Sequence, residues 1–303
     1  MATVAPLPRT PAELLPSEAA AILRRLELTV TRRLDGLLQG DYRGLVPGHG
    51  SETGETRPYV AGDDIRRIDW NVSARTLDTQ VRETIADREL ETWVLVDRSP
   101  SLDFGTAAMT KAELSAGAVA AVGFLTARTG NRLGAVVVEA DGTRVVPAKP
   151  GRGHLLALLR GVVERPAAGT GEGTDLATAV HRLLTPPRKR GLMVIVSDFL
   201  AADGWERPLA ALTTRHDVVA LEIVDPRELE LPAVGMLAVI DPETGRSREI
   251  PTNARLRSRY AAAAAEQRRE TAERRRRAGV AHVQLRTDRG WVLDLAQFVI
   301  RRR

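Results

Sequence analysis

Apolar positions change their period at about residue 91, and the change sets the architecture. From there on, short runs of strand length rich in β-branched residues alternate with longer stretches whose apolar residues recur at spacings of three and four. The short runs predict strands at 91–97, 133–139, 143–146, 191–198, 218–224 and 281–285. The longer stretches predict helices over 107–128, 153–164, 174–184, 204–214, 253–278 and 291–301. Runs such as Trp93-Val94-Leu95-Val96 and Leu192-Met193-Val194-Ile195-Val196 are apolar throughout, as strands covered on both faces must be. The alternation therefore predicts an α/β fold with a mostly parallel sheet and helices on both faces. Asp141-Gly142 is hairpin chemistry and implies one antiparallel strand, while Asp225-Pro226 and Asp241-Pro242-Glu243-Thr244-Gly245 mark an inserted hairpin near 226–251.

The first 90 residues read differently. Residues 1–15 are expected to fray. Leu23, Leu26, Val30, Leu34 and Leu37 then form an amphipathic helix over 17–39, stopped by Gly40. Residues 41–78 are rich in glycine and charge, with Tyr59, Ile65, Ile68 and Trp70 as expected anchors and Gly62-Asp63-Asp64 as the start of a helical turn. This segment is either an Arg–Asp network pinning an ordered loop or a surface for docking a partner. Residues 80–87 have the pattern of an edge strand. The expected division is an extension over 1–90 and the α/β domain over 91–303.

Composition narrows the function. The 303 residues, 43% hydrophobic and 27% charged, suffice for one large domain or two modest ones. With no cysteine, disulfides, zinc–thiolate sites and thiol nucleophiles are excluded. A net charge of +5 could suggest nucleic acid, but the basic run Arg268 to Arg277 is interleaved with Glu266, Glu270 and Glu273. Aromatics at 4% are too sparse for base stacking, so the run is expected to be a solvated helix face and no nucleic-acid partner is expected. Lysine occurs only at 111, 149 and 189. No apolar run reaches the ~20 residues of a membrane span, and the start of the chain lacks a signal-peptide pattern, so a cytoplasmic location is expected.

The candidate chemistry lies where the first central strand ends. Asp97-x-Ser99-x-Ser101 places a carboxylate and two hydroxyls at the carboxyl end of a strand, the place where ligands gather in open α/β sheets. If the strand ending at Asp198 is its neighbour, Asp97, Ser99, Ser101, Thr174 and Asp198 can meet at one crevice. All are oxygen donors, suited to Mg²⁺, or to Mn²⁺ or Ca²⁺. In this order, Asp-x-Ser-x-Ser, Gly-Thr-Asp-Leu and a strand ending Ser-Asp resemble the metal-ion-dependent adhesion site of the von Willebrand factor A fold.

A second resemblance covers residues 40–105 and extends to about 200. Arg57-Pro58-Tyr59, Gly62-Asp63-Asp64, Arg66, Ile68-Asp69-Trp70 and Ser73-Ala74-Arg75, followed by Asp97-x-Ser99-x-Ser101-x-x-Phe104-Gly105, are similar to the bacterial family catalogued as domain of unknown function 58. The resemblance implies a von Willebrand A-like, Rossmann-like fold and a MoxR-type AAA+ ATPase, or its client, as protein partner. In the adhesion-site pattern Ser99, Ser101 and Thr174 donate oxygens directly, Asp97 and Asp198 bind directly or through water, and a partner carboxylate completes the shell. Two departures stand out: Pro100 stiffens the elbow, and Arg98 would weaken a metal if it pointed inward.

Enzyme patterns are missing. A phosphoaspartyl phosphatase needs an acid where Ser99 stands, no Gly-x-Gly-x-x-Gly follows the first strand, and no Gly-x-x-x-x-Gly-Lys occurs. The five histidines are dispersed. The expectation is a non-enzymatic interaction module binding acidic groups through a divalent ion, with a metal-dependent hydrolase and a metal-free scaffold as alternatives.

Overall fold

The computed structural model describes residues 56–59, 65, 68–82, 91–128, 131–139, 142–164, 176–185, 190–201, 203–240 and 246–301. The expected helix over 17–39, and Gly62, Asp63, Asp64, Arg66 and Thr174, lie outside them. The described residues form two compact units, one within residues 47–89 and one within residues 90–303.

In the smaller unit β1 (Thr56–Pro58) pairs antiparallel with β2 (Gln80–Arg82), and α1 (Trp70–Thr76) lies between them in sequence. Asp69 caps α1, its Oδ1 accepting from the Asn71 and Val72 amides at 3.1 and 3.2 Å. Ser73 fastens the helix to β2: its hydroxyl donates to Asp69 O and accepts from the Gln80 amide at 2.8 Å. Two expected anchors are corrected. Ile65 is 67% and Trp70 70% exposed, whereas Tyr59 and Ile68 are half-buried. The turn expected at Gly62-Asp63-Asp64 lies outside the described residues; among those, the capping carboxylate is Asp69. Arg75 lies exposed in the last turn of α1, where a cation suits the helix dipole.

The larger unit is built on six strands: β3 (Glu91–Asp97), β4 (Arg132–Glu139), β5 (Gly142–Lys149), β6 (Leu192–Ser197), β7 (Asp217–Val224) and β10 (Ala281–Arg286). Their order is β10-β7-β6-β3-β4-β5, parallel except for β5, which returns beside β4. The order runs outward in both directions from β3, so the connection reverses between β3 and β6 and leaves a crevice at their carboxyl ends. This is a doubly wound α/β arrangement with one antiparallel edge strand.

Alternation along the strands divides the core. Val94, Val96, Val194 and Val196 face α2 (Lys111–Arg128), α3 (Arg152–Val163) and α7 (Trp291–Arg301). Trp93, Leu95, Met193 and Ile195 face α4 (Leu176–Arg182) and α5 (Glu206–Thr213). Two close approaches between neighbouring strand segments need glycine. A Cβ on Gly134 would lie 2.8 Å from the Trp93 indole, and one on Gly191 would lie 2.1 Å from Glu91 O. A two-stranded hairpin, β8 (Met236–Ile240) with β9 (Ser247–Pro251), is inserted before the long helix α6 (Ala254–Arg277), as its turn residues predict. Asn253 caps α6 through a 2.9 Å bond from the Leu256 amide.

Candidate functional site

Three adjacent strands end in acids: Asp97 follows the apolar run of β3, Asp198 follows β6, and Asp225 follows β7. Parallel strands bring their last residues to one rim, and the switch point between β3 and β6 sets Asp97 and Asp198 on either side of the crevice. Asp97 Oδ1 accepts from the Ser99 amide at 2.9 Å and Oδ2 from Ser197 Oγ at 2.7 Å. The two serine hydroxyls of the motif lie 2.9 Å apart, and Ser101 donates to Asp198 Oδ2 at 2.8 Å. Because β3 and β6 are neighbours, Asp97, Ser99, Ser101 and Asp198 are brought together, with Asp97, Ser99 and Asp198 buried. Arg98 turns away from the crevice, donating to Glu139 at 3.1 Å and to Gly161 O at 2.9 Å.

The sequence reading missed a cation. Lys111, the first residue of α2, is fully buried and donates to Asp198 Oδ2 at 2.8 Å and to Glu228 Oε1 at 2.5 Å. The Asp198 carboxylate is completed by the Leu200 amide on Oδ1 at 3.0 Å. Glu228 belongs to a short 3₁₀ turn capped by Asp225. It also accepts from Arg268, which reaches Glu222 at 2.7 Å and Asp198 O at 3.0 Å. Glu222 further accepts from Arg275 at 2.9 Å and lies 2.7 Å from His282 Nε2. A continuous chain of opposite charges therefore lies behind the crevice.

The basic run on α6 needs a correction in consequence. Arg269 and Arg277 are exposed and pair with Glu273 on their own helix, as a solvated face would. Arg268 and Arg275 instead turn inward, with Arg275 also 4.8 Å from the Phe199 ring centroid. Their periodicity shows only that they lie seven residues apart; what draws them in is Glu222, an acid inside the apolar strand β7.

Burial pushes the Asp97 carboxyl up, and the neighbouring Asp198 charge pushes it further. Burial acts on Asp198 in the same direction, but Lys111 outweighs it and the net shift is down. Burial opposes the charged form of Lys111; Asp198 and Glu228 overcome it, so the group stays an ammonium. Burial also works against the Glu222 anion, yet His282, Arg275 and Arg268 together bring it down to about 2.

Among the described residues the donor set does not suit a divalent ion as it stands. Such an ion needs several oxygens with lone pairs directed at one point. Asp198 Oδ2 already accepts from both Ser101 and Lys111, and each Asp97 oxygen accepts from a serine group. A divalent ion bound to Asp198 would also lie against the Lys111 ammonium.

The family model described as "Protein of unknown function DUF58" matches residues 55–270. The uncharacterized protein Rv1480 of Mycobacterium tuberculosis is 49% identical over 284 residues, covering 94% of this chain and 90% of its own length. Among solved structures, the conserved hypothetical protein BatB from Bacteroides thetaiotaomicron aligns over 70% of this chain and 98% of its own, with a TM-score of 0.43 and 15% identity. The SpRpn10 VWA domain aligns over 68% and 93%, with a TM-score of 0.38 and 13% identity. The family match over most of the chain and the identity to the mycobacterial relative agree: this chain belongs to the DUF58 family.

Proposed function

We propose that the chain is a non-enzymatic, cytoplasmic interaction module that binds a protein partner across the carboxyl rim of its sheet. The partner is a MoxR-type AAA+ ATPase or that machine's client, as the resemblance of the signature residues implies. One observation carries the choice of surface. The loops after β3 and β6 are joined by the Ser101–Asp198 bond, and each exposes a large apolar side chain, Phe104 at 40% and Leu200 at 36%. Large apolar side chains left in water on loops held by a rigid scaffold suit a docking face. The test is binding of the full chain to the purified ATPase. Phe104→Asp and Leu200→Asp, which leave the buried network untouched, should each weaken binding by about tenfold, roughly 1.4 kcal/mol. Unchanged affinity in both defeats this choice of surface. Turnover of generic phosphoesters that Ser101→Ala abolishes would replace binding by hydrolysis.

A further inference from the structure

We propose that Lys111 is the resident cation of the crevice: its ammonium neutralises Asp198 in the manner of an adhesion-site metal, so the crevice is assembled without a divalent ion. Three observations carry this. The first is contact. The Lys111 ammonium is fully buried and bonded to two carboxylates, and the Asp198 oxygen it touches also holds Ser101, so lysine, motif serine and strand-end acid form one closed cluster.

The second is the identity of the residue. Of 44 basic residues, only those at 111, 149 and 189 are lysine, and all the others are arginine. A chain that otherwise uses arginine so heavily has lysine at a fully buried position. There a compact point charge with three rotatable donors meets two carboxylates.

The third is position. Lys111 opens α2, where the helix dipole disfavours a cation, so it does nothing for helix stability. The start of that helix is nevertheless fixed. Thr110 and Glu113 bond reciprocally, at 2.8 and 3.1 Å, in the manner of a capping box, and the Lys111 amide donates to Phe104 O at 2.9 Å. Gly105 permits that close return, since a Cβ there would lie 2.4 Å from Thr110 Cα. The turn is built to hold this ammonium against Asp198 and Glu228.

Resting on the interaction-module reading, a consequence for the partner follows. With no metal offering an open coordination position, the rim is read through apolar and hydrogen-bonding contacts rather than through an acidic side chain of the partner. Binding is then indifferent to chelators.

The test begins with the full wild-type chain and needs no partner. Calorimetric titration with Mg²⁺ and Ca²⁺, and the EPR signal of free Mn²⁺, should show no saturable binding. The melting temperature should be the same in EDTA and in millimolar Mg²⁺, Mn²⁺ or Ca²⁺. Saturable binding that Asp198→Asn weakens by about tenfold or more overturns the proposal. Lys111→Met, which removes the charge but keeps most of the volume, should melt lower than wild type in EDTA and be raised by divalent ions. A Lys111→Met chain that melts like wild type overturns it equally. Because the titration reads the ion alone, failure of the ATPase to bind would refute the proposed function and leave this result standing.

Discussion

Asp225 offers a demanding test of how the rim is held. Its carboxylate is fully buried and accepts four bonds: from the Thr106 amide at 2.9 Å, Thr106 Oγ1 at 2.6 Å, Thr287 Oγ1 at 2.9 Å and the Arg227 amide at 2.9 Å. It thereby joins the loop after β3, the turn after β10 and its own 3₁₀ turn. Bonds to a charged acceptor contribute about 1.5–3 kcal/mol each, but four on one group are far from additive. Asp225→Ala leaves four donors to find water or strain towards one another, the kind of loss that costs roughly 3–5 kcal/mol. In a unit of this size that lowers the melting temperature by about 10 °C. Asp225→Asn keeps one accepting oxygen but turns an amide towards donors, and should fall between the two. Equilibrium urea unfolding followed by circular dichroism should show a lower midpoint with an unchanged slope. A midpoint shift equivalent to less than about 0.5 kcal/mol, the range of ordinary surface changes, would falsify the role given to this carboxylate.

Other predictions concern the network and the sheet. Glu222 titrates near 2 in the folded chain against its ordinary 4.5, so it binds its proton more weakly when folded. Its contribution, roughly 3 kcal/mol, is present above about pH 4.5 and is lost as pH falls from there towards 2. Glu222→Gln should lower stability at pH 7 and flatten that acid limb in a pH series of denaturation midpoints; an unchanged limb would locate the acid sensitivity elsewhere. Gly134→Val drives a side chain into the Trp93 indole and should cost about 1–3 kcal/mol with altered tryptophan fluorescence. Gly191→Ala, aimed at Glu91 O, should cost a similar amount by prising the start of β6 from β3; wild-type midpoints in both would show that the sheet yields at these places.

The strands were legible because burial on both faces leaves an unmistakable run of Val, Leu and Ile, and turn chemistry marks the two hairpins. The convergence of Asp97, Ser99, Ser101 and Asp198 followed from one rule about strand ends, once β3 and β6 proved neighbours. Lys111 was not legible. It stands among Thr110, Ala112 and Glu113, where it looks like any helix-surface residue, and only the fold brings Asp198 and Glu228 to it from 87 and 117 positions away. Its rarity among so many arginines was the available signal. Asp225 was visible as a turn residue but not as a hub, because Thr106 and Thr287 are 119 and 62 positions away in sequence. The inward turn of Arg268 and Arg275 was hidden for the opposite reason: their neighbours on α6 satisfy the surface pattern so well that two inward-turned members do not disturb it. A glutamate inside an otherwise apolar β7 was the clue to them.

Ser197 and Asp97, bonded to each other, stand 100 positions apart, and the β3–β6 pairing beside them spans a similar stretch of chain. The β3–β4–β5 half closes over far shorter loops, so the entropy of loop closure favours its earlier formation. A ribosome-bound chain halted before β6 emerges would carry the whole Asp-x-Ser-x-Ser sequence yet none of the crevice. The crevice is thus absent until β6 has been made, and a fragment ending before β6 is a natural negative control for any binding measurement at the rim.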